Sequence, residues 1–356
     1  MYEKDASKDV GYATTNTTED AFGTAPFRRF RLFYFILLTF ISVCASIYLL
    51  YTLIAKKFFK IHFYVFVGHL AVLYIIFGVY IIPLYIIMFE TNGVWPLGQA
   101  ACVAWQVISN LCTYEMEVMV VVIGMDRLWA IFWPIHYKQR RNHKNLAVSL
   151  LISWMYSGFT VLPTLIHDRL TNSYSLTVCD VSIKDNYPYW RATISMGFLV
   201  PAVSAITLYF IIACKIVRDI LAKRRAVSDV EGGLRPPITA AVSEEGNVRG
   251  KRPSGHASAD GARDARETEG KRQDKVKILR EKRVLLVLLV VSCNYLICLL
   301  PYAVYCGLWF YNLVTPNTMA FTVCHMLMYT HPALDALAFI MTNAEIRPQI
   351  FHATSG

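Results

Sequence analysis

Asp126 and Arg127 stand side by side where a long apolar run gives way to a basic one, in Met125-Asp126-Arg127-Leu128-Trp129-Ala130-Ile131-Phe132-Trp133-Pro134-Ile135-His136-Tyr137. An acid beside a guanidinium at the rim of a membrane helix can make and break an ion pair without covalent chemistry. Glu281, much further along, is a second acid that Arg127 could meet if their helices approach. The alternative is a rim arginine that snorkels and marks topology. Cys102 lies 25 residues upstream of Arg127, in Trp95-Pro96-Leu97-Gly98-Gln99-Ala100-Ala101-Cys102. At about 1.5 Å per helical residue that separation spans roughly 37 Å, against a hydrocarbon core of about 30 Å. One helix would then hold the cysteine beyond one face of a bilayer and the arginine at the other.

Three further acids, Glu115, Glu117 and Asp335, fall inside apolar runs. Acids there are costly and are usually partnered or functional. Glu115 and Glu117 are about 200° apart around a helix and cannot serve one site. Neither His-Glu-x-x-His nor Gly-x-Ser-x-Gly occurs, so no catalytic residue, metal or cofactor is expected and the chain is not read as an enzyme. Asn16-Thr17-Thr18 is a glycosylation sequon, relevant only if that end reaches the secretory lumen.

The elements that must hold these residues are membrane helices. The chain is 55% hydrophobic and 17% charged, with a mean hydropathy of +0.40. A soluble surface needs more charge than this. Seven apolar runs, near 33 to 54, 62 to 88, 101 to 126, 146 to 167, 192 to 217, 284 to 310 and 319 to 342, predict an all-α membrane protein, a seven-helix bundle. The net charge of +10 does not point to nucleic acid, because the basic residues fall between the apolar runs. The short links after the first and third runs hold 3 and 5 Lys or Arg, against 3 in the opposite links (Arg169, Lys184, Arg191). This places the N-terminus outside. Arg28, Arg29 and Arg31 dissent from that assignment.

Residues 1–30 are expected to be a disordered extracellular tail, with no cleavable signal peptide evident. Spans one to five occupy 31–222, a disordered cytoplasmic loop 223–275, spans six and seven 276–342, and a short cytoplasmic tail 343–356. No internal repeat is evident, which weighs against a repeat-built transporter.

The chain resembles the rhodopsin-like (class A) G-protein-coupled receptors over nearly all of 33–347. Asp126-Arg127-Leu128 is similar to that family's Asp-Arg-Tyr, with Pro134-Ile135-His136-Tyr137 at the usual offset. Trp95, Gly98 and Cys102 match its outer-loop pattern, and Trp154 stands at the fourth span's tryptophan. Pro201 followed by Tyr209 has the spacing of its fifth span. Tyr295-Leu296-Ile297-Cys298-Leu299-Leu300-Pro301-Tyr302 is similar to Phe-x-x-Cys-Trp-x-Pro-Tyr, and Glu281 stands where many members carry an acid. The departures lie in the switch machinery. Asp335-Ala336-Leu337-Ala338-Phe339 replaces Asn-Pro-x-x-Tyr, Tyr74 the aspartate of the sodium site, Ser46 the first span's asparagine and Leu299 the sixth span's tryptophan.

The resemblance implies a disulfide between Cys102 and Cys179. Cys306 and Cys324 could also bridge. It implies an activation switch of Asp126, Arg127, Tyr209 and Glu281, to which the matching positions add Tyr74 and Asp335 as a polar pair in place of the sodium cluster. It also implies a ligand cavity lined by Ser109, Asn110, Thr113, Tyr302, His325 and Tyr329. Ser109 stands where amine receptors carry an aspartate, which disfavours a monoamine. Tyr329 stands at the retinal lysine's position and the seventh span has no lysine, which excludes bound retinal. The implied partners are an extracellular ligand, peptide or small and polar, a heterotrimeric G protein and the bilayer. The competing functions are a receptor-shaped chaperone or partner subunit that does not signal, and a channel or transporter.

Overall fold

In the computed structural model the described residues are 25–91, 94–140, 142–171, 179, 187–233, 289–311, 313–315, 317–342 and 346. Asn16, Glu281, most of the expected third cytoplasmic loop and nearly all of the C-terminal tail lie outside them. The described chain forms seven helical rods. The first is Ala25–Ala55. The second is His62–Ile76 continued through a π turn, Phe77–Ile81, into Ile82–Glu90. The third is Gly98–Phe132 and the fourth His143–Thr171. The fifth is Tyr187–Ile194, a π turn at Ser195–Leu199 and Val200–Gly233. The sixth is Leu289–Phe310 and the seventh Thr318–Thr342. Six of them are long and apolar enough to cross a membrane. The seventh, which carries His325, His331 and Asp335, packs along the first.

Both π turns have a proline as their cause. Pro83 and Pro201 lack the N–H that would bond residues 79 and 197, and the helix widens by one residue around each orphaned carbonyl. The widened turn in the fifth helix also sets its distance from the third, because a Cβ on Gly197 would lie 2.0 Å from the Tyr114 ring.

Helix ends differ from the expected spans for local reasons. The first begins at Ala25 because Pro26 is tolerated in an opening turn. The fifth continues to Gly233 because Leu221-Ala222-Lys223-Arg224-Arg225-Ala226 are good helix formers and no breaker precedes Gly232-Gly233. The third runs past Arg127 to Phe132 and stops ahead of Pro134. Cys102 and Arg127 therefore share one helix.

The bundle's polarity suits lipid. Phe40, Phe159 and Phe210 are exposed on its outside, while Glu115, Glu117, His331 and Asp335 are buried. Arg28, one of the dissenting basic residues, pairs with Glu90 at 2.7 Å and also donates to the Glu90 carbonyl at 2.9 Å.

Candidate functional site

The residues singled out above fall into three layers along the bundle. At the end of the third helix, the Arg127 Nε donates to Asp126 Oδ2 at 3.0 Å, and its Nη2 donates to the same oxygen. The second oxygen of Asp126 accepts from the Tyr137 hydroxyl at 3.0 Å, across the short helix Pro134–Arg140. The guanidinium carbon lies 4.5 Å from the ring centroid of Phe63, at the start of the second helix. Arg127 and Asp126 side chains keep only 13% and 9% of their exposure, so this ion pair is largely shielded from water and salt. Just past the end of that helix Trp133 and Ile135 are 58% and 74% exposed, large apolar side chains on the surface. Tyr209 does not extend the pair in this conformation. Its hydroxyl donates to the Val120 carbonyl at 2.8 Å and ties the fifth helix to the third.

Midway along the bundle the Tyr74 hydroxyl donates to Asp335 Oδ2 at 2.8 Å. Asn294 Nδ2 donates to Asp335 Oδ1 at 2.6 Å and to the His331 carbonyl at 3.3 Å, and the Cys298 thiol donates to Asn294 Oδ1 at 3.2 Å. The His331 ring nitrogen sits 3.0 Å from Asp335 Oδ2, within ion-pair distance but off the line of a hydrogen bond. Helices two, six and seven thus converge on one buried carboxylate. His331 and Asn294 were not singled out from the sequence, and Cys298 only as part of a matched motif. The one signal available was His331 four residues before Asp335, a spacing that places both on one face of a helix.

The two glutamates of the third helix point to different neighbours. Glu115 accepts from Ser153 at 2.6 Å and Ser157 at 2.9 Å on the fourth helix, with His69 of the second at 3.4 Å. Glu117 faces Tyr295, with His331 and Asp335 close enough to act on it electrostatically. Its Oε2 accepts no hydrogen bond from the described residues.

In the layer at the opposite end of the bundle from Arg127 three of the six expected cavity residues meet. His325 stacks on Tyr302 with centroids 5.4 Å apart, meets the Tyr329 ring edge-on at 4.8 Å, and shares a 2.8 Å hydrogen bond with the Tyr85 hydroxyl. Tyr85 was not anticipated. Ser109 and Asn110 instead bond the Gln106 carbonyl of their own helix, at 3.2 and 2.8 Å, and Thr113 is half-buried on the same helix. Above them Cys102 is bonded to Cys179, and Arg169 donates to the Gln106 side chain. Cys306 and Cys324 are free thiols.

The described residues thus hold an ion pair at one end of the bundle, a carboxylate shared by three helices in the middle, and polar and aromatic groups at the other end.

Comparison with known proteins agrees with that geometry. Residues 45–337 match the family described as 7 transmembrane receptor (rhodopsin family). The alpha-1A adrenergic receptor of Bos taurus is 22% identical over 261 residues, covering 73% of this chain and 54% of that protein. The apelin receptor A of Xenopus laevis is 27% identical over 161 residues, 42% of this chain and 44% of that protein. The 5-hydroxytryptamine receptor 1B of Mus musculus is 26% identical over 143 residues, 40% and 36% respectively. The chain spans about half the length of the adrenergic receptors it matches, 54% of each. With a family match running from the first helix to the seventh, over a bundle that holds an Asp-Arg pair at one end, the chain is a multi-pass membrane protein and belongs to the rhodopsin family of seven-transmembrane receptors.

Proposed function

We propose that the chain is a plasma-membrane receptor with its N-terminus outside, which binds an extracellular ligand among the outer halves of helices three, six and seven and activates a heterotrimeric G protein. One observation carries this reading: Arg127 is held at the end of the third helix by Asp126, which Tyr137 holds in turn. Releasing Arg127 would free a cation at the end of a helix that runs on into exposed apolar side chains, Trp133 and Ile135, a surface suited to a protein partner. Tyr74, Asp335 and Asn294 would carry the change inward, because a carboxylate shared by three helices cannot keep all its bonds when one helix moves. Tyr209 and Glu281 are proposed as the groups that receive and hold Arg127 in its two positions.

The relatives named for amines and for apelin do not decide the ligand. Ser109 offers no anion to an ammonium and bonds its own helix, so a peptide or small polar ligand fits better than a monoamine. The test is nucleotide exchange on purified heterotrimeric G proteins by membranes carrying the full chain, with Arg127→Ala beside it and a ligand screen if basal exchange is low. Exchange above that of empty membranes, lost in Arg127→Ala, is expected. Equal exchange by the two proteins would overturn the reading.

A further inference from the structure

Ion pairing and aromatic contact hold Arg127 from two sides. Asp126 takes one edge of the guanidinium, and the face lies 4.5 Å over the ring of Phe63. Phe63 is 6% exposed and belongs to an aromatic column at the inner end of the second helix. Its ring meets Tyr64 edge-on at 5.3 Å, and Tyr64 stacks on Phe58 at 4.7 Å. Phe58 opens the 3-10 turn Phe58–Lys60 of the first inner link. That link is anchored as well, since a Cβ on Gly68 would lie 2.5 Å from the Phe59 ring. The ring under Arg127 is therefore backed by a packed link.

We propose that Phe63 is a positioning residue for Arg127: with Asp126 it forms the seat in which the guanidinium rests, and the first inner link sets how firmly Arg127 is held. The proposal rests on the receptor reading for its consequence in signalling but not for the seat itself. A cation over an aromatic face is stabilised by the ring quadrupole, most when water is excluded, and here the arginine side chain is 13% exposed. A planar guanidinium suits this place better than an ammonium, because one edge can pair with Asp126 while the face stacks. An aliphatic residue at 63 would fill the space without the quadrupole, and tryptophan would restore it.

Two measurements separate the seat from the signalling. The first is a double-mutant cycle on the full chain in lipid nanodiscs, reading thermal-inactivation rates of wild type, Phe63→Leu, Arg127→Met and the pair. Phe63→Leu is expected to speed inactivation by about 2- to 5-fold more when Arg127 is present than once it is Met, where only the loss of packing against Tyr64 remains. Phe63→Trp should match wild type, and serves also if the leucine variant does not fold. Additive effects, or a tryptophan variant as fast as the leucine one, overturn the seat. The second is basal nucleotide exchange per receptor, expected to rise by about 2- to 5-fold in Phe63→Leu and not in Phe63→Trp. Coupling in the cycle with no exchange by any variant, with or without the screened ligands, keeps the seat and overturns the receptor reading. Exchange by wild type with no rise in Phe63→Leu overturns the link's control of Arg127.

Discussion

Glu115 and Glu117 sit two residues apart on the third helix and are 0% and 1% exposed, yet the bundle treats them in opposite ways. Glu115 is saturated: two serines of the fourth helix donate to it, with a histidine of the second alongside. Glu117 faces helices six and seven with one oxygen that accepts nothing from the described residues. A carboxylate with three neighbours fastens helices two, three and four, because parting them would strand an acid in lipid. One with spare acceptor capacity loses little when its neighbours move and gains when water enters. In the receptor proposed above the third helix would therefore move with the fourth, and separation would occur against the sixth and seventh. The Asp335 cluster lies along that same boundary.

The largest effect that tests this contrast is on the fastened side. Glu115→Leu removes three polar contacts between helices, at roughly 0.6 kcal/mol each in a membrane protein. It should lower stability by about 2 kcal/mol, read as an earlier thermal-inactivation midpoint of the purified full chain. Ser153 already reaches the Leu150 carbonyl at 2.8 Å, so the stranded hydroxyls can turn to their own helix and limit the loss. A Glu115→Leu protein as stable as wild type would break the comparison.

A smaller effect is expected at the boundary itself. Tyr74→Phe removes one bond to Asp335, roughly 0.6 kcal/mol, while Asn294 and His331 still attend that carboxylate. Stability should barely change, but nucleotide exchange per receptor should, because the second helix loses its hold on the seventh. An unchanged exchange rate would remove the Tyr74–Asp335 pair from the switch.

How far these regions were legible in the sequence depends on what enforces them. Hydrocarbon demands about 20 apolar residues per crossing, so the seven-helix expectation holds, and Cys102 and Arg127 do share one helix. Helix ends were less legible, since Pro26 and the run to Gly233 are decided by local caps and propensity rather than by the bilayer. The angle between Glu115 and Glu117 follows from helix geometry alone. Their partners do not, because Ser153 and Ser157 read as small packing residues until the fourth helix is docked. Tyr74, Asp335 and Cys298 stood at matched positions, whereas Asn294 and His331, and the bond from Cys298 to Asn294, come together only through tertiary packing. Phe63 was one aromatic among many in an aromatic stretch. Nothing in its type or spacing marks the ring that lies under Arg127.

The smallest expected change is the most informative, because its sign differs between the two acids. Glu117→Leu removes a buried oxygen that accepts no bond, and an unsatisfied buried polar group costs about 1–3 kcal/mol. Part of that is recovered when leucine packs against the buried Tyr295, while the contact of Tyr295 with the carboxyl is lost. The net should lie between zero and a gain of about 1 kcal/mol, against a loss of about 2 kcal/mol for Glu115→Leu, both read as inactivation midpoints under identical conditions. Nucleotide exchange should fall, because an apolar contact between helices three and six favours the closed bundle and offers water nothing when it opens. If Glu117→Leu instead lowers the midpoint as far as Glu115→Leu does, then Oε2 is satisfied by a water or ion within the bundle. The two faces of the third helix would then be fastened alike, and the opening would have to occur elsewhere.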